Sequence, residues 1–551
     1  MLLPPLTDYA RDSRAYRRPP APADFNFCDV IDGHAADPGK PGLIWLNAAG
    51  DERRLSFAQI RDGSKRLALA LRARGVGRGD RVLVMLPRLP EWPMVMLAIF
   101  RLGAIAVPCI TMLTRKDLEY RLGATRPRAI VTLPGEAGKF DGLTGDAARL
   151  LVPYGPGSAP GWEDLTALAA GQGLDIATER MGPQDGALIY FTSGSTGMPK
   201  GVLHSAYFPR AYYECTAYWF DLNDPQPDEL MWGTSDTGWS FSLTATLVGP
   251  WLAGVTTLIY DGPFDAGQRL AIMARYGVTV FAAAASEFRQ MLAQPIESHD
   301  LTRLRLSATA GESLDAPTAQ GWMRRAGCRI HEAYGQTEAL MLVANYPGCE
   351  IRPGAMGLPL PGLPVDVIAE DSFTPLPVGE VGHLALRMPM EGMMLGYWQA
   401  PDKTEACFVT NAQGARWYIS GDLARKDAEG YFWYVGRSDD VINTAGYRVG
   451  PAEVEGAVMA HPAVRDCAVV ASPDAQRGEV VKAFIVLHAG YDPTEALARE
   501  IQDFVKHETA PYKYPRRIAF VDDLPKTTTG KIQRKVLRDR EISDARGPDG
   551  Q

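Results

Sequence analysis

The chain has 551 residues, 46% of them hydrophobic and 22% charged, with a formal net charge of -8 at pH 7. That length and composition supply ample material for several buried cores, in several domains or one large two-part enzyme, and they exclude wholesale disorder and a membrane protein. The negative balance argues against a dedicated nucleic-acid binder, which would present a basic face. Taken in chain order, Leu2-Leu3 is followed at once by two prolines and then by charges, which is not the pattern of a signal peptide. About the first 50 residues, rich in Pro, Ala and Arg, read as irregular structure wrapping the body. Residues 57–74 then carry helical spacing, 81–86 a strand, 92–102 a helix and 104–107 a strand. The apolar tract 94–110 is interrupted by Arg101 and Pro108 and is too short to span a bilayer, so it reads as a buried helix running into a strand. The alternation continues for several hundred residues. It predicts an α/β fold: a large N-terminal domain of layered α/β subdomains with largely parallel sheets, whose ligands gather at the carboxyl ends of strands.

The seven cysteines, at positions 28, 109, 215, 328, 349, 407 and 467, are scattered and form no CxxC pair. They read as buried thiols of a reducing cytosol rather than as zinc ligands or a disulfide framework.

The apolar strand 187–191 feeds the segment Tyr190-Phe191-Thr192-Ser193-Gly194-Ser195-Thr196-Gly197-Met198-Pro199-Lys200-Gly201. Its glycines let backbone N–H groups approach an anion closely, its hydroxyls donate hydrogen bonds and Lys200 neutralises charge, a combination suited to a polyphosphate. It is not the Walker loop, because no GK[ST] closes it. On its own the segment also fits a solvated Ser/Gly loop. Four further segments follow in order: Tyr334-Gly335-Gln336-Thr337-Glu338; Tyr418-Ile419-Ser420-Gly421-Asp422; Gly436-Arg437-Ser438-Asp439-Asp440 with Gly446-Tyr447-Arg448; and Pro525-Lys526-Thr527-Thr528-Thr529-Gly530-Lys531. Together, over residues 53–538, the chain resembles the ATP-dependent adenylate-forming enzymes, which include acyl-CoA synthetases, peptide-synthetase adenylation domains and luciferases.

The resemblance implies a two-domain organisation, with an AMP- and acyl-binding domain at 1–438 and a small, mobile α+β domain at 439–551 that carries a catalytic lysine. The pattern in the second part agrees: apolar residues 454–459, a strand over 467–471, a strand over 482–487 and a helix over 494–507 make a unit of about 110 residues. The resemblance also implies ATP, Mg²⁺ and coenzyme A, the last as a substrate. It assigns Thr192, Ser193, Gly194, Ser195, Thr196, Gly197 and Lys200 to the β and γ phosphates, Tyr334 to the adenine face and Gly311-Glu312 to its edge. Asp422 would accept from both ribose hydroxyls, and Arg437 and Arg448 would bind ribose or α-phosphate, with Gly446 entering the site in the second half-reaction. Thr337 and Glu338 belong to the catalytic set, with Glu338 the Mg²⁺ ligand, a hard oxygen donor for a cation that keeps most of its waters. Lys531 would bind the acyl carboxylate and α-phosphate during adenylation, and Asp439 would be the hinge. Read in isolation, Glu338 would serve as the cap of a helix begun at 339, and Asp422 as an Asx-turn.

Acetate-activating relatives carry a tryptophan immediately before the glutamine of the YGQTE segment. This chain has Gly335, so a deeper acyl pocket is expected, with Trp239 of Ser235-Asp236-Thr237-Gly238-Trp239-Ser240 as a wall or as core. That segment resembles the medium-chain acyl-CoA synthetase branch. Amino-acid-activating domains place an aspartate after an aromatic residue here, and Phe241-Ser242 lacks it. The expected function is therefore activation of an uncharged medium-chain, branched or aryl acid to acyl-AMP, followed by transfer to CoA, in the cytoplasm, with no nucleic acid, no membrane span and oligomeric state open. The alternatives are loading of a separate carrier protein, a luciferase-like oxidation of the adenylate, and a catalytically silent nucleotide-binding regulator.

Overall fold

A computed structural model describes residues 3–192, 199–444, 447–474, 477–509, 513–526 and 532–546. Two compact units result. The first comprises 1–352, 357–363 and 389–406; the second comprises 353–356, 364–388 and 407–551.

The first unit carries two sheets. In one, eight strands lie in the order Met394–Tyr397, Lys200–Ser205, Gly186–Thr192, Ile105–Pro108, Arg81–Val84, Ala129–Thr132, Ala148–Leu151 and Glu163–Asp164. Pairing is parallel from Gly186–Thr192 through to Glu163–Asp164, as expected for strands separated by helices, and antiparallel where Lys200–Ser205 is flanked by Gly186–Thr192 and Met394–Tyr397. The other sheet has a parallel centre built from Thr256–Asp261, Leu230–Gly233, Val280–Ala282, Leu306–Ala310 and Ile330–Gln336. It turns antiparallel at Leu340–Ala344. The apolar side chains Trp232, Leu258, Phe281, Phe288 and Trp322 fill one of its faces.

Helix ends follow the local sequence. Ser56 and Gln59 form a reciprocal capping box that starts Phe57–Ala73, and Thr114 and Asp117 do the same for Arg115–Thr125. The apolar tract lies largely in the buried helix Glu91–Arg101, whose one fully buried charge is satisfied internally. Arg101 Nη1 donates to Asp32 Oδ2 at 3.0 Å and Thr178 Oγ1 at 2.8 Å, and Nε donates to Ser64 Oγ at 3.0 Å. Among the described residues, no helix is long and apolar enough to cross a membrane.

The N-terminal arm departs from the expected irregular wrap. It contains the helices Tyr9–Ala15 and Phe27–His34, started by Asp8 and Asn26 side chains, and the strand Pro41–Asn47. Between the two helices the arm is tied to buried Glu214: Tyr16 Oη donates to Oε1 at 2.8 Å, and Arg18 donates from Nε to Oε1 at 3.0 Å and from Nη2 to Oε2 at 3.1 Å. The signal for the first helix was too short to outweigh the surrounding prolines in a periodicity count, and tertiary anchoring decides it.

In the second unit the strands Val365–Ile368, Val381–Arg387, Arg416–Lys426 and Phe432–Arg437 pair antiparallel. The expectation of largely parallel sheets thus stops here; the turn 427–431 between Arg416–Lys426 and Phe432–Arg437 is short enough to join only antiparallel neighbours. The same unit holds a further sheet in the order Tyr447–Val449, Ile442–Thr444, Gly478–Leu487, Val464–Asp474, with Arg517–Phe520 parallel to Gly478–Leu487. The helices Pro451–Met459 and Glu495–Glu508 pack on it through Val454, Val458, Leu497, Ile501 and Val505. This lobe is α+β, the class expected for the small domain.

Removing Arg18 would leave the Glu214 carboxylate buried with the Tyr16 hydroxyl in place of a cation. Arg18→Ala is expected to destabilise the protein by about 3 kcal/mol in reversible urea unfolding, whereas Arg18→Met combined with Glu214→Leu recovers most of that loss. Equal losses in the single and double variants would show that the arm is held by packing alone.

Candidate active site

The geometry begins where the strands Gly186–Thr192 and Lys200–Ser205 pair, with Thr192 opposite Lys200. Thr192 Oγ1 donates to Lys200 O at 3.5 Å. The exit of the intervening segment is anchored from two sides: Tyr120 Oη donates to Pro199 O at 2.8 Å, and Trp398 N donates to Gly201 O at 2.7 Å. A Cβ at Gly201 would lie 3.1 Å from Ile189 Cγ2 and 3.3 Å from Trp398 Cβ, a tight fit that favours glycine. Lys200 projects its Nζ over the Tyr397 ring, 4.5 Å from the centroid, and the Tyr397 hydroxyl donates to Glu338 Oε1 at 2.8 Å. Among the described residues that hydroxyl is the partner of the Glu338 carboxylate, which leaves the second oxygen available to a ligand.

Thr337 and Glu338 sit in the turn between Ile330–Gln336 and Leu340–Ala344. The helix whose cap an isolated Glu338 would have supplied does not form. Residues 340–344 instead pair antiparallel with 333–336, and Leu340 takes φ +61° to make the reversal. His204 Nε2–H donates to Thr337 O at 2.7 Å, and the Ser240 and Thr337 hydroxyls are 3.2 Å apart. Burial pushes the His204 imidazole down from 6.5 to about 4, and its bond to the Thr337 carbonyl, which favours charge, offsets this only in part. His204 is therefore a neutral donor fixing the Thr337 backbone at neutral pH.

Gly335 lies at a β-bulge, and a Cβ built on it would meet Leu340 O at 2.2 Å and Met341 Cα at 2.8 Å. Backbone, not open space, occupies that direction. Trp239 is half-buried against the cluster of Leu83, Met85, Cys109, Ile110 and Leu113. Gly311 follows the strand Leu306–Ala310, and Glu312 Oε1 accepts from Ser286 N at 2.5 Å near the start of Ala285–Leu292. Tyr334 is on the strand that leads into the Thr337 turn.

In the second unit Asp422, only 5% exposed, faces Arg437 across the Arg416–Lys426 and Phe432–Arg437 pair. Arg437 Nη1 is 3.5 Å from Asp422 Oδ1, and the Tyr434 hydroxyl donates to the same oxygen at 3.4 Å. Burial works against the Arg437 charge, but Asp422 and Asp439 outweigh it and hold the guanidinium above its ordinary value. Asp439 O accepts from Arg538 Nη1 at 2.8 Å, so the expected hinge is tied to the C-terminal helix Arg534–Arg546. Ser193, Gly194, Ser195, Thr196, Gly197, Gly446, Lys531 and the Arg448 side chain lie outside the described residues.

The AMP-binding enzyme family model matches residues 33–398, and the model of the AMP-binding enzyme C-terminal domain matches 453–531, which ends on Lys531. The chain belongs to the AMP-binding enzyme family. Acyl-coenzyme A synthetase ACSM4, mitochondrial, of Mus musculus is 39% identical, covering 97% of this chain and 93% of its own length. Human acyl-coenzyme A synthetase ACSM5, mitochondrial, is also 39% identical, over 94% and 91%. Among solved structures, the anthranilate CoA ligase AuaEII in complex with anthranoyl-AMP is similar with a TM-score of 0.85 and 30% identity, covering 95% of this chain and 99% of that one. A benzoate CoA ligase from Burkholderia xenovorans LB400 gives a TM-score of 0.80 and 28% identity, over 93% and 100%. The two-part α/β architecture is shared with these ligases.

Three residues of this AMP-binding enzyme's site were not assigned from the sequence: Tyr397, His204 and Ser240. Tyr397, in Gly396-Tyr397-Trp398 on an edge strand, reads as an ordinary core aromatic, and His204 alternates with apolar neighbours as any strand histidine does. Only the pairing of distant strands brings them to Glu338 and Thr337.

Between 6.5 and about 4 the unfolded chain binds a proton at His204 that the folded enzyme refuses, so this residue makes stability fall as pH drops through that window. His204→Asn is expected to flatten the loss of urea-unfolding stability over that range; an unchanged acid slope would mean the imidazole is protonated in the folded enzyme. At Gly335, even Ala should lower stability and adenylation together, whatever the acid chain length, because the Leu340 backbone must move. A variant with a normal melting temperature and a selective change in acid preference would instead assign the glycine to the acyl pocket.

Proposed function

We propose that Lys200, Thr337 and Glu338 form the phosphate- and metal-handling part of an adenylation site, and that the acid activated is an uncharged medium-chain, branched or aryl carboxylate. The enzyme is an ATP-dependent, AMP-forming carboxylate–CoA ligase. The observation that carries the site assignment is the set Lys200–Tyr397–Glu338: a cation and a carboxylate held by one neutral side chain at the exit of a Gly/Ser/Thr-rich segment.

In the first half-reaction a carboxylate oxygen attacks the α-phosphorus, and the bond to the pyrophosphate oxygen breaks, with no proton transfer. Two anions must meet, so positioning and charge neutralisation carry the catalysis. Lys200 and the hydroxyls of Thr192, Ser193, Ser195 and Thr196 hold the leaving phosphates, with Gly194 and Gly197 admitting them to the backbone N–H groups. Glu338 presents one carboxylate oxygen, and no group of three or more metal-ligating side chains is found among the described residues. That donor set fits Mg²⁺, which takes one or two carboxylates, waters and substrate phosphates rather than a protein cage. When bound, Mg²⁺ would offset charge on the phosphate oxygens.

Tyr334 and Gly311-Glu312 frame the adenine, Asp422 accepts from the ribose hydroxyls, and Arg437 and Arg448 contact ribose or α-phosphate. Lys531 grips the acyl carboxylate. The division 1–438 and 439–551, with Asp439 as hinge, then lets Lys531 leave and the Gly446 segment enter, and the CoA thiolate attacks the acyl carbonyl to expel AMP. Trp239 and the apolar cluster beside it supply an uncharged surface for the acyl tail, in keeping with the absence of an aspartate at Phe241-Ser242. The free cysteines support a reducing compartment such as the cytoplasm.

The test is pyrophosphate and AMP formation with C2 to C12 and aryl acids, with and without CoA. CoA-dependent AMP release, greatest with an acid of six or more carbons or an aryl acid, is expected; turnover only with a carrier protein, or nucleotide binding without pyrophosphate, would replace the assignment. Lys531→Ala should abolish acyl-adenylate formation, a loss of at least about a thousandfold for an electrostatic group acting on developing charge. It should largely spare thioester formation from supplied acyl-AMP. An equal fall in both half-reactions would remove the two-geometry account.

A further inference from the structure

Lys200 and Glu338 carry opposite charge and touch the same side chain, yet among the described residues no ion pair joins them. Tyr397 meets the ammonium with its ring face at 4.5 Å and the carboxylate with its hydroxyl at 2.8 Å. Neither contact sets a countercharge against its partner, since a ring face and a phenolic hydroxyl carry no formal charge. A direct Lys200–Glu338 pair would neutralise both.

The tyrosine is itself built in. It is 7% exposed, its N–H donates to Thr404 Oγ1 at 2.8 Å, and that hydroxyl donates to Ala400 O at 3.0 Å. The strand Met394–Tyr397 bulges between Met394 and Gly396 where it pairs with Lys200–Ser205, a device that re-aims side chains beside functional sites. Met394 N also donates to Glu338 O at 2.9 Å. One edge strand therefore holds Glu338 by backbone and by side chain.

We propose that Tyr397 is a positioning residue: it separates Lys200 from Glu338, aims the carboxylate at the metal and leaves the ammonium to the phosphates. The inference rests on the adenylation site proposed above. Tyr397→Phe keeps the ring under Lys200 and deletes only the bond to Glu338, whereas Tyr397→Leu deletes both. Mn²⁺ binding to the full-length enzyme with ATP, followed by electron paramagnetic resonance, and Mg²⁺ titration of pyrophosphate–ATP exchange with octanoate read the effect. For Tyr397→Phe the metal concentration at half-saturation should rise about tenfold, the order expected for losing a hydrogen bond to a charged group. Saturating metal should restore the rate. For Tyr397→Leu the KM for ATP should also rise and should not be restored by metal.

In a Glu338→Gln background, Tyr397→Phe should change metal binding by less than about twofold, since the bond it removes has lost its charged partner. Wild-type Mn²⁺ binding in Tyr397→Phe, or strict additivity in the cycle, would make Tyr397 a packing residue only. The Phe variant preserves the ring's volume, so the decision does not depend on the Leu variant folding. If the wild-type enzyme formed no acyl-AMP with any acid, the proposed activity would fall, while the Mn²⁺–ATP measurements would still decide the role of Tyr397.

Discussion

A site that binds a polyphosphate with a metal needs a cation and a carboxylate near each other without letting them cancel, and here the short edge strand Met394–Tyr397 meets that constraint. It lies antiparallel on Lys200–Ser205, which lies antiparallel on Gly186–Thr192. Lys200 and His204 stand at opposite ends of the middle strand, and Tyr397 lies on the edge strand beside it. The YGQTE turn, from the other sheet of the same unit, meets them through His204 and Tyr397.

Two fully buried charged side chains elsewhere have the partners that exclusion of water demands. Arg101 is fully buried and is spent on Asp32, Ser64 and Thr178. Glu214 is equally buried and is spent on the N-terminal arm. These groups hold the scaffold. Glu338 differs because one of its oxygens is left to a ligand, and Asp422 differs because its carboxylate is framed by an arginine and a tyrosine on an antiparallel pair.

Much of the site was readable from local chemistry. Glycines, hydroxyls and a lysine between two apolar stretches suit an anion-binding loop, and the order of five such segments makes the adenylate-forming family recognisable. The helix at 57–74 was equally legible because its apolar period and cap are local, and the one at 92–102 because its apolar run is too long for a strand. The N-terminal helix Tyr9–Ala15 was not, since about two turns between proline-rich stretches have too little period to count. The strand at 340–344 was misjudged as a helix start because its apolar run has no clear period and only its partner strand settles the choice.

What the sequence by itself determined is the set of chemical groups and the regular elements that carry them: hydroxyls, glycines and a lysine suited to phosphate, a metal-suited glutamate, a ribose-suited aspartate and the α/β alternation. Tertiary structure alone decided that Tyr397 lies between Lys200 and Glu338, that His204 stays neutral and grips Thr337, and that the space beyond Gly335 is filled by the Leu340 backbone. The reason is physical. Propensity and motif chemistry act over a few residues along the chain, whereas spacing of charges, desolvation and steric exclusion depend on strands that are far apart in sequence and meet only when the sheets form.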